Sequence, residues 1–230
     1  MISSASLPAA SFPSQSRADR VLLSTAYFPP AEYFALLARE MTLSPDRVLP
    51  SHVQIEACET YQKQSFRNRC YILAGDGPQM LQVPVIHSGT MPIRKVQIDY
   101  STPWVVRTER ALSTAYCSSA FFEYYRDELF GLLESGETLL WDYNLALIRW
   151  CAAKAGIQTV ISPTSDFSSP GTIPDDYRFS IHPKRPMPDI PVKPWYQVFR
   201  SRTGAFTPHL SILDLLFNEG PNSLTYIYNS

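Results

Sequence analysis

Strand-like runs in this chain lie before Thr102 or after Ala155, and the stretch between them repeats its apolar residues at helical spacing. That segregation restricts the fold more than any other feature, because helical and strand periodicities cannot be exchanged along one segment. Thr102 can cap and Pro103 can open a first helix carrying Trp104, Thr108, Leu112 and Ala115. Ser119 can cap a second, with Phe122, Tyr125, Leu129 and Leu132 along one stripe and Gly136 as its break. Leu140, Tyr143, Leu147, Trp150 and Cys151 mark a third, with Lys154 in its last turn and Gly156 at its exit.

The flanks supply the strands. Val21–Tyr27 is apolar and runs into Phe28-Pro29-Pro30, after which Glu32, Phe34, Leu37 and Met41 fit a helix with an acidic first turn. Val53, Ile55 and Ala57 alternate with Gln54, Glu56 and Cys58, so one face of that strand is expected to be wetter. Cys70–Ala74 and Met80–Ile86 flank Gly75-Asp76-Gly77-Pro78, a hairpin turn, with Pro84 placing the second strand at an edge or bulge. Arg94–Tyr100 alternates again, and Ile157–Ile161 reads as a strand after the helices. The proline-dense residues 162–194 form a long loop, expected to be mobile, within which Tyr177–Ile181 could add a short strand. Thr207 as cap, Pro208 as first residue, Leu210, Leu213 and Phe217 on one face and Gly220-Pro221 as stop predict a C-terminal helix. The expected fold is α/β: a single domain over residues 20–230 with a mixed β-sheet, a central helical run and a C-terminal helix. Residues 1–19, rich in Ser, Ala and Pro, read as a disordered leader without the apolar core of a signal peptide.

Composition excludes several classes of function. A net charge of −1 provides no global field for nucleic acid or an anionic membrane, so any basic site must be local. No apolar run approaches the length of about 20 residues that a spanning helix needs, and the expected compartment is the cytoplasm. The four cysteines and four histidines are scattered without ligand spacing, so no metal is expected, and no motif specifies a cofactor.

Tyr61-Gln62-Lys63-Gln64-Ser65-Phe66-Arg67-Asn68-Arg69-Cys70 concentrates three cations and several neutral hydrogen-bonding groups between two strands. Arg and Lys bind carboxylate or phosphate oxygens through charge-assisted hydrogen bonds, and in an extended segment Arg67 and Arg69 would present two forks on one face. The alternative is that the forks bind internal carboxylates such as Glu56 or Glu59. The turn Tyr27–Tyr33, with Glu32, is a helix N-terminus suited to anions, yet it lacks the glycine-rich phosphate cradles. His182, followed by Lys184 and Arg185, is the best-placed general acid or base if its loop closes over the first site. Asp214 and Asn218 share one face of the terminal helix, and an acid among apolar neighbours needs a partner.

The decapeptide, with Val83-Pro84-Val85 and Leu210-Ser211-Ile212-Leu213-Asp214-Leu215-Leu216-Phe217-Asn218-Glu219-Gly220-Pro221, resembles the WbqC-like family over roughly Val21 to Ser223. The resemblance implies a bacterial protein linked to surface-polysaccharide (O-antigen) gene clusters. Together with the cationic loop it suggests a transferase-type enzyme for a small anionic substrate, phosphorylated or carboxylated, with an activated sugar among the candidates. A non-catalytic scaffold for polysaccharide enzymes and a nucleotide-activating enzyme are the alternatives. On this reading Tyr61, Lys63, Arg67, Asn68, Arg69, Glu32 and Lys184 contact substrate, and His182 moves a proton. Asp214 and Asn218 stand behind them, Asp214 holding Arg67 or Arg69. Arg67 would then be dispensable for stability, and Arg69 would matter more to the fold.

Overall fold

The first strand, β1 (Val21–Ser24), pairs in parallel with β4 (Ser51–Glu56), and β4 pairs in parallel with β9 (Thr159–Pro163), giving a sheet of order β1-β4-β9. This arrangement belongs to a computed structural model that describes residues 21–39, 41–44, 47–49, 51–87, 89–200 and 204–228. The leader expected at residues 1–19 lies outside the described residues. Parallel strands need long crossovers. The first contains α1 (Ala31–Ala38), and the second contains the hairpin and the helical run.

The α/β class, the helical run and the C-terminal helix are all present. Parallel and antiparallel pairings occupy separate small sheets. β5 (Arg69–Ala74) and β6 (Gly77–Gln82) form the expected hairpin, in register from Arg69↔Gln82 to Ala74↔Gly77. β2 (Thr42–Ser44) pairs with β3 (Arg47–Leu49), and β7 (Val85–Ile86) with β8 (Gln97–Ile98). The alternation at 94–100 is interrupted by a 3-10 turn at Ile93–Lys95, so only two of its residues reach strand geometry.

Helices α2 (Trp104–Tyr116) and α4 (Leu140–Lys154) bury their predicted stripes, whereas α3 (Phe122–Leu133) buries Phe122, Leu129 and the unpredicted Leu133, with Tyr125 and Leu132 only partly covered. Leu112, Leu129, Leu140 and Ile148 are fully buried there. Each such side chain taken from water is worth about 1.5–3 kcal/mol. The C-terminal helix, α5 (Ile212–Glu219), buries every residue from Ile212 to Asn218, as expected of a helix packed on all sides. It begins later than the Thr207-Pro208 signal predicts. Ser211 is its N-cap, accepting the Leu213 N–H. Leu210 and Ser211 stay extended because their backbone is used in tertiary pairing: Ser211 N–H donates to Tyr71 O at 2.7 Å, and Leu210 O accepts from Ala31 N–H at 3.3 Å. A last short helix, α6 (Leu224–Ile227), closes the described chain.

Residues 164–194 hold no regular helix or strand among the described residues, and the strand expected at Tyr177–Ile181 does not form. A single parallel bridge joins Asp176 to Leu22, after which the chain turns so that Ile181 N–H donates to Tyr177 O. The turn carries Arg178 into the interior, where it is 1% exposed.

Candidate functional site

In open α/β sheets the crevice beyond the carboxyl ends of parallel strands is where loops gather and ligands bind. Here that edge is built from Ser24, Thr25, Glu56 and Glu59, with Arg67 and Arg178 reaching in from distant segments. Glu59 is 2% and Arg67 3% exposed. Arg67 Nε donates to Glu59 Oε1 at 2.9 Å, and its Nη2 donates to Ser24 Oγ at 2.8 Å and to Glu59 Oε2. Burial holds the Glu59 carboxyl above the usual carboxylate range, although the Arg67 charge pulls the other way.

A second pair lies beside the first. Glu56, 0% exposed, accepts from Arg178 Nη1 at 2.5 Å, from Thr164 Oγ1 at 2.6 Å and from the Cys58 N–H at 2.9 Å. Arg178 also grips Asp176 with Nε at 2.9 Å and Nη2 at 2.7 Å, and its Nη2 reaches Ser168 O. The wetter face expected for β4 is therefore dry at Glu56, whose charge is met by an arginine from the proline-rich segment.

This geometry corrects the expected pair of forks. The decapeptide turns at Lys63–Arg67, with Gln64 at φ 57°, instead of running extended. Arg67 consequently points inward to Glu59, the internal carboxylate alternative, whereas Arg69 opens β5 and is half-buried with its Nε unpartnered. Arg67 is thus buried and paired with Glu59, which bears against the expectation that it is dispensable for stability. Asp214 holds neither arginine. It accepts from Trp195 Nε1 at 2.7 Å, Tyr116 Oη at 2.9 Å and Gln197 Nε2 at 3.0 Å, because α5 turns it toward the aromatic core. Burial pushes its carboxyl up to about 6 despite the three donors. Asn218 donates one turn back to Asp214 O, a helix-internal bond. Asn68 is buried, its Nδ2 donating to Val83 O, and Tyr61 is tied by its N–H to Met91 O. Lys63 is exposed.

Above this polar layer the structure brings together the remaining candidates. The Tyr27 N–H donates to Phe66 O at 2.8 Å, so the β1–α1 turn leans on the decapeptide. The loop at 181–185 closes over it: Lys184 Nζ contacts Gln64 Oε1, and His182, Arg185 and Phe66 line one cleft of about 200 Å³. His182 Nδ1 accepts the Lys184 N–H at 3.1 Å, which places the proton of the neutral ring on Nε2. Partial burial lowers its proton affinity, with the positive charges of Arg185, Arg67 and Lys184 adding to the effect.

Glu32 also changes role. Its Oε1 lies 2.6 Å from Nδ1 of His209, and His209 lines the same cleft as His182. The sequence reading missed Ser24, Arg178 and His209. Only Asp176, two residues from Arg178, offered a local hint of a pair; Glu32 and His209 are 177 positions apart.

An uncharacterized protein of Mycobacterium tuberculosis, Rv1507c, is 27% identical to this chain across 73% of the chain and 83% of its own length. No solved structure matches the chain significantly. The model of the WbqC-like protein family matches residues 25–176, from the turn after β1 to the Asp176 bridge, and the chain belongs to that family.

Proposed function

We propose that the cleft between the Phe66 turn and the His182 loop binds a small anionic molecule, phosphorylated or carboxylated, and that the protein works as a transferase in cell-surface polysaccharide assembly. The observation that carries the proposal is the pair of cations beside His182: Arg185 lines the cleft with it, and Lys184 of the same loop reaches across to Gln64 of the decapeptide turn. Arg67 and Arg178 are neutralised by Glu59, Glu56 and Asp176, so the charge offered to a ligand comes from Arg185 and Lys184. Arg185 spends Nη1 on Phe179 O at 2.9 Å and keeps the rest of its fork for an anion. Phe66 and Tyr71, packed edge to face at 6.4 Å, add an aromatic wall suited to a sugar or base ring. The polysaccharide context rests on family resemblance, and an activated sugar is the substrate class that joins the two.

Thermal unfolding of the full chain with UDP-glucose, UDP-glucuronate and inorganic pyrophosphate tests this. A ligand at 100 times its dissociation constant adds about 2.7 kcal/mol, which for a chain of this size raises Tm by about 5–10 °C. Arg185→Ala should abolish the rise. A flat response to every anion would favour the non-catalytic scaffold, a reading that the internal neutralisation of Arg67 and Arg178 already supports from the other side.

A further inference from the structure

We infer that His209 and Glu32 form a general-base dyad serving the cleft, with His209 Nε2 as the proton acceptor and the substrate's attacking hydroxyl or amine as its partner. The inference rests on the proposed function above and assigns that site its base. Glu32 belongs to the first turn of α1 and is 6% exposed, with one oxygen, Oε2, buried and unpartnered. Its Oε1 meets His209 Nδ1 at 2.6 Å. A carboxylate accepts, so Nδ1 carries the ring proton and the Nε2 lone pair is left available. The imidazole is half exposed, at 50% for the side chain, and it lines the cleft. Carboxylate, oriented imidazole and free Nε2 constitute the arrangement that activates nucleophiles in unrelated folds.

Two further features point the same way. His209 sits at φ 62°, a left-handed conformation uncommon outside glycine although histidine adopts it more readily than most residues, and positions held in it by their surroundings gather at functional sites. The surroundings do impose it: Leu210 O takes the Ala31 N–H, and Ser211 N–H donates to Tyr71 O, which fixes the segment beside Glu32. Across the cleft His182 has the opposite polarity, its Nδ1 accepting from Lys184 and its Nε2 bearing the proton. One imidazole is therefore set to take a proton and the other to donate a hydrogen bond. In the transfer step His209 Nε2 removes the acceptor's O–H or N–H proton as that oxygen or nitrogen bonds to the electrophilic carbon or phosphorus of the donor. The bond from that centre to the leaving phosphate oxygen breaks, and its electron pair departs with the phosphate toward Arg185.

The test reads the imidazoles directly, without knowledge of the substrate. In 15N-labelled full chain, the neutral His209 ring should be the Nδ1–H tautomer and the neutral His182 ring the Nε2–H tautomer. With diethyl pyrocarbonate at pH 7, His209 should be carbethoxylated faster than His52, His87 and His182. Glu32→Gln should slow His209 on the order of tenfold, as expected when a neutral amide replaces the carboxylate whose charge stabilises the imidazolium that develops as the ring attacks. His52 and His87 should keep their wild-type rates in that variant, showing that the fold is retained. A Nε2–H tautomer at His209, or an unchanged His209 rate in Glu32→Gln, overturns the dyad whatever the anions do. A reactive, Glu32-dependent His209 in a protein whose melting ignores pyrophosphate and both UDP-sugars leaves the dyad standing and removes the anion-transfer reading.

Discussion

Replacing Arg67 by Ala tests whether the cationic decapeptide is architecture. The substitution removes the Nε–Oε1 bond at 2.9 Å, the second Nη2–Glu59 contact and the Ser24 bond at 2.8 Å. Glu59, 2% exposed, is left with Ser24 Oγ at 3.3 Å. An isolated carboxylate in that position takes up a proton, which at pH 7 costs about 3.7 kcal/mol for a group whose unfolded pKa is about 4.3. That ceiling falls within the about 3–5 kcal/mol usually lost when one partner of a buried pair is removed. For a chain of this length it lowers Tm by about 7–15 °C. The pH dependence identifies the cause. With its folded pKa raised, Glu59 contributes stability that is fully present below its unfolded pKa and lost as pH rises. The gap between Arg67→Ala and wild type should therefore widen from pH 5 to pH 7, by up to about 1.4 kcal/mol per unit. Urea unfolding followed by circular dichroism at pH 5, 6 and 7 measures it. The double replacement Arg67→Met with Glu59→Leu, which removes both charges, should recover most of the loss. Arg67→Ala within about 1 kcal/mol of wild type at pH 7, or a gap that ignores pH, would refute the buried-pair account.

Asp214 should make its own mark on the pH profile. Its carboxyl is raised to about 6, so its contribution is present below the unfolded value and lost as pH climbs through about 6. Asp214→Asn should remove roughly 3 kcal/mol of pH dependence between pH 4 and 7, read as a flatter profile of unfolding free energy over that range. Gly220→Ala combines two faults: the backbone holds φ 54°, and a Cβ would lie 2.5 Å from the Phe121 ring. It should cost more than about 2 kcal/mol, measured as a lower urea midpoint with an unchanged slope.

Local signals found the elements whose ends are set locally. Gly136 and Gly156 end helical stripes, and both take positive φ, at 69° and 76°. The hairpin followed from Gly75-Asp76-Gly77-Pro78 because its turn chemistry needs no distant partner. Failures occur where the backbone serves a remote segment. Thr207-Pro208 is a good helix start by sequence, but Leu210 and Ser211 are held extended against Ala31 and Tyr71. Tyr177–Ile181 alternates like a strand, but a strand would not deliver Arg178 to Glu56, 122 positions earlier. At the site, Glu59 was visible as a partner for an arginine because it is eight residues from Arg67. The turn at Gln64 that makes Arg67 its partner has no signature, because a glutamine at positive φ is a tertiary compromise.

Buried ion pairs are weak devices for stability, since apolar residues of similar volume often hold a core as well or better. Their value here is positional. Glu59–Arg67–Ser24 and Glu56–Arg178–Asp176 clamp β1, the end of β4, the decapeptide turn and the proline-rich segment to one edge of the parallel sheet. Each fork accepts only one arrangement of its carboxylate, whereas a greasy contact tolerates sliding. Two of the cleft walls hang from these clamps, for Phe66 precedes Arg67 and His182 follows Arg178 by four residues. The third wall, with His209, is fixed separately by Pro29, Ala31 and Tyr71 through backbone bonds. The arginines of the decapeptide turn and the proline-rich segment therefore act as struts. On the proposed function, the chemistry would fall to the imidazoles and the less neutralised cations that those struts hold in place.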